Sequence, residues 1–589
     1  MSMRILIKRC LYCIGLGMLL LSCPVDVQDT NHDTIQILSP VSSWTYFEDV
    51  PVSFSLNAAV SETRWTSSIV GELGVGNGFS LSLSAGTHVI EATNSYGTRS
   101  VTITVQSKEY VSSDEVSVML SRASIERSLP GFDWYPYVIA GAEQVEDLQV
   151  SFAEGMNTSN SRRIPVSPAV MRDIAPARIN RHAGVYTASG LGRSLLMDKI
   201  GALGDTREFL VYNTSNQYAD PHIINATMVY KGTGVTVWYP CELAKDESMI
   251  VEFCSALEAL VIPRVKALWG APGDVNGDGA VSILLTDTIN EEQVALGFFN
   301  PLDFFALDID PASSSYNPVS NEMDMIYLAV PTQETTYSME TILATAAHEL
   351  THLVSFSSKT WNKMMAGSLD APQEELFLDE GWSHLSESLC GYGISGGNAA
   401  FLNVYFEDTA SYSLCGPSLH GHEDSAGRRG AMALFLSWLF WEKGGMEWNA
   451  EGNPVDGGGI AFLREMLDCN VTGWDSIGYA YGISTNRLFE LFVKELNEAR
   501  LANELFVSHI DPVTDEPVEL YANMGSLSFG GRTITVSFPL SHELSSAKSL
   551  YVAPWTFAFY SPMYGMAGQT LEIQMEDSVP SAFLKILLD

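Results

Sequence analysis

The sequence predicts a multidomain α+β protein in which a mixed region of helices and strands is flanked by a β-domain on each side. Runs of alternating apolar and polar residues fill 34–107 and return after 521, the period of a half-buried strand. Between 206 and 505, strand-like runs are interleaved with longer segments of helical period. With 589 residues, 46% of them hydrophobic, the chain can fill the cores of about three or four domains.

The amino terminus reads as a targeting segment. Arg4, Lys8 and Arg9 precede an apolar run over 11–21 that is too short to span a bilayer. The run ends Leu20-Leu21-Ser22-Cys23, which resembles a bacterial lipobox. On that reading 1–22 is a lipoprotein signal peptide, Cys23 is the lipidated first residue of the mature chain, and 23–33 is a polar tether. The expected location is extracytoplasmic, on the outer membrane or cell surface, with the lipid anchor as the membrane contact. A formal net charge of −38, from 70 acidic and 32 basic residues, argues against nucleic acid and against charge-driven binding to an anionic bilayer. Five cysteines lie beyond Cys23; in an oxidising compartment Cys241–Cys254 and Cys390–Cys415 are the expected bridges. No C-x-x-C pair occurs in the mature body, so a cysteine zinc ribbon is not expected.

Residues 34–107 carry VPVSFSLNAAV, FSLSLSAGTHVIEATN and TRSVTITV, with turn residues between them. The stretch AGTHVIEATNSYGTRSVTITV resembles the end of a small bacterial immunoglobulin-like domain, with Trp65 as its core aromatic. Residues 108–205 mix short apolar runs with loop chemistry and read as a linker or a second small domain. From 206 to 505 lies a larger domain. REFLVYN, INATMVYKG and GVTVWYP predict strands, and 246–269 predicts an amphipathic helix with Pro263 near its end. In GDVNGDGAVSILLTD, residues Asp274, Asn276 and Asp278 alternate ahead of Gly279 like the first half of a calcium loop, but Leu285 stands where the closing Glu should be. The segment is therefore either a Ca2+ site of another kind or a tight Asx turn before a strand.

The stretch 338–356, SMETILATAAHELTHLVSF, predicts a helix with one buried stripe. It contains His348-Glu349-Leu350-Thr351-His352. Residues four apart share a helix face, so both imidazoles can meet one metal ion, with Glu349 beside them as the base for a metal-bound water. A catalytic metal needs a third protein ligand and an open position. In LDEGWSHLSE, 28 residues after His352, Glu380 is the expected third ligand, placed at a helix start, and His384 is the runner-up. His384, Glu387 and Tyr392 are candidates for supporting the ligands or for facing a substrate oxyanion, as are Tyr412, His420 and His422.

H-E-L-T-H followed by D-E-G-W-S-x-x-x-E resembles the gluzincin metallopeptidases, and in particular the hyicolysin family of bacterial secreted peptidases. GDVNGDGAVSILLTD, SNEMDMIYL, HELTHLVSF, FLDEGWSHLSE and GAMALFLSWLFWEKGG resemble that family's blocks in order, over about half the chain. The resemblance implies a zincin-like catalytic domain, Zn2+ on His348, His352 and Glu380, Glu349 as general base, and protein or peptide substrates. Two positions depart from the family pattern: Asp379 stands where Asn is usual, and Arg429 stands before Gly430 where Tyr is expected. Beyond the site, 430–443 predicts a buried helix, 488–501 an amphipathic one, and 506–589 a C-terminal β-domain with Trp555, Phe557, Phe559 and Tyr560 in its core. A rival reading is a surface adhesin or host-protein-binding lipoprotein built on a vestigial peptidase fold.

Overall fold

The computed structural model describes residues 37–106, 115–152 and 201–588, apart from short stretches within them. The leader, Cys23, the tether, His420 and His422 lie outside the described residues. The chain divides into two compact units, Met1–Ser107 and Lys108–Asp589.

The described residues of the first unit form β-strands and turns. One sheet orders Ile37–Ser39, Pro51–Leu56 and Phe79–Ser82; the other orders Thr45–Phe47, Gly97–Gln106, Gly86–Asn94, Arg64–Ser67 and Gly71–Val75. Along Gly86–Asn94 every second side chain is buried, as the strand period requires. Both sheets contribute to one core, in which Trp65 meets Phe54 edge-on at 5.4 Å and Phe54 stacks on Phe79 at 5.0 Å. His88 is buried there, held by Ser67 Oγ and the Ser84 carbonyl.

The second unit is built on a six-stranded mixed sheet. Its strands are β1 (Thr206–Val211), β2 (His222–Lys231), β3 (Val235–Pro240), β4 (Val281–Thr286), β5 (Gly297–Phe299) and β6 (Met325–Ala329), in the order β1-β2-β3-β4-β6-β5. The pairs β3–β4 and β4–β6 are parallel, and their strands are buried throughout, as expected where both faces are covered. The expected helix at 246–269 is α1 (Glu247–Ala256) and α2 (Ile262–Trp269), joined by a π-helical turn at Leu257–Val261. Pro263 starts α2, and the wider turn before it accommodates a residue that has no N–H to donate. Asp246 caps α1 by accepting from the Ser248 and Met249 amides.

Four further helices frame the centre: α3 (Met339–Phe356), α4 (Leu376–Leu389), α5 (Asn398–Glu407) and α6 (Ala426–Glu442). Ser338 caps α3 through the Thr341 amide. The one-stripe expectation for α3 is corrected: every residue from Thr341 to Phe356 is buried, because α3 lies between the β5–β6 edge of the sheet and α4. The α3 polar residues are therefore interior groups that must find partners. Ser386 on α4 joins these layers, accepting from Thr351 Oγ1 on α3 at 2.7 Å and from Trp269 Nε1 on α2.

The remaining β-structure differs from expectation in one respect. Among the described residues, strands of 115–152 and of 541–588 share sheets, while Gly525–Phe529 and Arg532–Val536 pair only with each other. Trp134–Ala140 lies between Ala582–Leu588 and Thr556–Tyr560, and Val145–Phe152 pairs with Thr570–Gln574 and Leu550–Val552. Strand periodicity is local and carries no partner identity, so two distant segments of one sheet read as two domains. This joint β-layer is tied to the helices. The Ala553 amide and Thr556 Oγ1 both donate to the Ala410 carbonyl, and Trp555 stacks on Trp474 at 4.3 Å. Phe557 and Phe559 are fully buried, and Tyr560 nearly so.

The expected disulfides are absent. Cys241, Cys254, Cys390, Cys415 and Cys469 are all free thiols. Cys254 and Cys390 are buried, and Cys415 Sγ accepts from Trp474 Nε1 at 3.0 Å.

Val138 is fully buried in the middle strand of the joint sheet. Val138→Asp should lower the unfolding midpoint of the whole second unit by roughly 10 °C or more, measured by thermal unfolding of full-length protein. A shift confined to a small separate transition would show that the β-layer folds independently.

Candidate metal centre

Three helices supply the centre. From α3 come His348, Glu349 and His352; from α4 come Asp379, Glu380, His384 and Glu387; Arg429 comes from the first turn of α6. Local packing sets their approach. A Cβ on Gly381 would meet the Leu436 side chain at 2.9 Å, so the glycine lets α4 lie close on α6. A Cβ on Gly430 would meet the Phe401 carbonyl oxygen at 2.2 Å, so α6 touches α5 backbone to backbone beside Arg429.

His348, His352 and Glu380 offer ligand atoms within 4.8 Å of one another, all buried. The two imidazoles have matching environments. His348 Nδ1 lies 2.6 Å from Glu387 Oε1, and His352 Nδ1 lies 3.0 Å from Asp379 Oδ2. A carboxylate on Nδ1 takes the N–H there and leaves the Nε2 lone pair free to bind. Both Nε2 atoms face Glu380, at 3.3 Å from Oε2 for His348 and 3.7 Å from Oε1 for His352. The rings sit 4.8 Å apart at 73°.

Glu380 is fully buried, and neither carboxylate oxygen has a hydrogen-bond partner. Burial pushes it up to about 7, while Arg429 and then His352 pull it back. Burial also carries His348 well below its ordinary value, helped by His384 and His352, so it is a neutral imidazole. His352 moves the other way. Burial lowers it, but the negative charges of Asp379 and Glu380 outweigh burial and raise it to about 10. The directions differ because His348 feels burial and the neighbouring His384, His352 and Arg429, whereas His352 faces Asp379 and Glu380. A proton on His352 supplies compensating charge there; a cation at its Nε2 would replace that proton. Two imidazole nitrogens and a carboxylate oxygen that lacks a hydrogen bond therefore fit a divalent metal ion.

A second triplet, His348, His384 and Glu387, is equally close. Glu387 Oε1 lies against Nδ1 of both histidines, 2.6 Å from His348 and 2.9 Å from His384. It is thus the acceptor behind the first group. His384 belongs to this second triplet and not to the first. Its Nε2 is 3.4 Å from Arg429 Nη1, and it is fully buried between His348 and Phe401.

Some expectations are corrected in place. Glu380 does not begin its helix: α4 starts at Leu376, so Glu380 sits in the second turn, beyond the reach of the terminal dipole. Tyr392 sits among Cys390, Arg264 and Asp511, where burial raises its hydroxyl pKa. Tyr412 lays its ring over Gly427 at the start of α6. In the 274–278 loop Asn276 and Asp278 form Asx turns, with Asn276 Oδ1 accepting the Asp278 amide at 3.1 Å and Asp278 Oδ1 the Ala280 amide at 2.8 Å, and Asp274 Oδ2 accepts the Gly279 amide at 3.2 Å. These three residues belong to neither metal-capable triplet.

Two roles are not legible in the sequence. Asp379 is one of four residues, with Glu380, His384 and Glu387, that could supply a third ligand, and in the fold its carboxylate reaches His352 Nδ1. Arg429 stands out in the sequence only as a departure from the family pattern. The sole signal was a pair of arginines opening an otherwise apolar helix. A small cleft opens beside His352 and Asp379, walled by Phe299, Pro301, Phe356 and Gln373.

Asp379→Asn and Glu387→Gln keep size and remove the charge on each Nδ1. Each should weaken metal binding by about 10–100-fold, read by competition with a chromophoric chelator. Affinity unchanged in both would mean that the carboxylates do not orient the imidazoles.

No family model matches the chain. Among curated proteins it is 24% identical over 198 residues to the neutral metalloprotease ShpI of Staphylococcus hyicus, covering 32% of this chain and 40% of that protein. Among solved structures, Escherichia coli alpha-2-macroglobulin activated by porcine elastase aligns with 94% of this chain and 42% of that one, at 8% identity and a TM-score of 0.11, too low to bear on the fold. The chain thus shares a distant relationship with a metalloprotease and carries a buried His/His/Glu group that fits a metal ion.

Proposed function

We propose that the protein is a lipid-anchored, extracytoplasmic zinc metalloendopeptidase with a zincin-like catalytic region and an immunoglobulin-like domain at its amino-terminal end. The observation that carries the reading is the convergence of both imidazole Nε2 atoms on Glu380, with Glu349 on the same helix turn. A donor set of two nitrogens and one oxygen suits zinc, with a position left for water or substrate. Bound zinc would lower the pKa of a water molecule and polarise a scissile carbonyl.

The chain's own residues supply the rest. His348, His352 and Glu380 hold the ion, and Glu387 and Asp379 fix the two imidazoles. Glu349 accepts the proton of the attacking water and returns it to the leaving amine. The small cleft beside His352 has aromatic and proline walls that suit an apolar group next to the metal ligands. The substrates are proteins or peptides, not nucleic acid, in keeping with the net charge of −38. Anchoring rests on the lipobox-like sequence at Cys23; among the described residues no helix is long and apolar enough to cross a membrane. A purely adhesive protein would have no use for Glu349, Glu380 and Glu387 buried together, since buried charges destabilise a fold unless something compensates them.

One experiment compares wild type, Glu349→Gln and Cys23→Ser in fractionated cells and as purified protein. Wild-type cleavage of casein should sediment with membranes and stop with chelator. Glu349→Gln should keep its metal and lose about 10²–10⁴-fold of the activity, while Cys23→Ser should release the activity from membranes. A Glu349→Gln protein as active as wild type would refute the mechanism, and membrane-bound Cys23→Ser would refute the anchor.

A further inference from the structure

Arg429 is a permanent cation sealed against the proposed metal ligands. Its side chain is 1% exposed. Asp424 takes its Nε and Nη2, the latter at 2.9 Å. Nη1 lies 3.2 Å from Glu380 Oε2 and 3.4 Å from His384 Nε2. Glu380 Oε2 is also the oxygen that faces His348 Nε2 at 3.3 Å. The guanidinium and a metal ion on His348, His352 and Glu380 would therefore share one carboxylate. This contact is fixed by the backbone, because Gly430 holds α6 against the Phe401 carbonyl one residue further on.

Resting on the metal reading above, we propose that Arg429 is a positioning residue that acts as a built-in rival cation for Glu380, compensating its charge and thereby setting how tightly the centre holds its metal. An arginine cannot give up its proton in a protein, so this compensation is constant. It is needed most when no divalent ion is bound, because a fully buried carboxylate without a counter-charge is strongly destabilising. When a divalent ion shares the carboxylate, the two cations repel at short range. A group that stabilises the metal-free form more than the metal-bound form weakens metal binding by the same free energy. Asp424 moderates the effect by drawing the other two guanidinium nitrogens away.

The test uses full-length wild type, Arg429→Met and Arg429→Lys, with two readouts: unfolding midpoints in chelator and in excess zinc, and zinc affinity by competition with a chelating dye. Arg429→Met should unfold earlier than wild type in chelator, gain a larger upward shift from zinc, and bind zinc about tenfold more tightly. Arg429→Lys keeps the charge and should return most of the way to wild-type affinity; it also reports if the Met variant folds only with zinc present. Equal losses of stability in chelator and in zinc, with affinity unchanged or weaker in Arg429→Met, would reduce Arg429 to a packing residue and overturn the proposal. Wild-type protein that zinc does not stabilise would instead overturn the metal reading itself.

Discussion

Glu380 brings a carboxylate into the fully buried centre, where no hydrogen-bond donor is aligned on either of its oxygens. Everything around it answers that charge. Two imidazole Nε2 atoms face it, a guanidinium lies 3.2 Å away, and the carboxylates Glu387 and Asp379 stand behind the imidazoles and add to the acidic surplus. A fold that gathers this much acid inside three helices is stable only if cations join it. The metal reading and the role given to Arg429 both follow from that requirement.

The geometry depends on how closely the helices approach. Gly381 and Gly430 remove the side chains that would hold α4 and α5 away from α6, and Gly396 leaves room for the Glu387 carboxylate, which a Cβ would meet at 2.3 Å. The Glu387 carboxylate is then confined where it can reach His348 Nδ1. Further out, the joint β-layer holds the chain between α5 and α6 through the Ala410 carbonyl. Strands from 134–152 and 550–588 thus support the wall from which Arg429 projects.

Much of this was legible in the sequence, for physical reasons. The spacing of His348 and His352 needs only the helical repeat to bring them to one face, and Glu380 needs only a second helix within loop reach. Most strands of the six-stranded sheet are visible in the apolar runs of the sequence, and Trp65 is the core aromatic of its β-rich stretch. What was hidden depended on partners distant in sequence. Nothing local shows that Trp134–Ala140 pairs with Ala582–Leu588, or that Arg429 meets a carboxylate 49 residues earlier in the chain. The α6 start was read at 430, four residues late, because Ala426–Arg429 adds little apolar periodicity, and that shift concealed the guanidinium. Both expected disulfides failed because cysteine spacing says nothing about whether two thiols face each other.

The central claim is that His348, His352 and Glu380 hold one metal ion. X-ray absorption at the zinc edge, on zinc-loaded full-length protein, addresses it directly. The account predicts one zinc per chain, with two imidazole nitrogens and carboxylate oxygen at about 2.0–2.2 Å, lost in His348→Ala. Sulfur scatterers at about 2.3 Å, or an unchanged spectrum in His348→Ala, would place the metal elsewhere and contradict it.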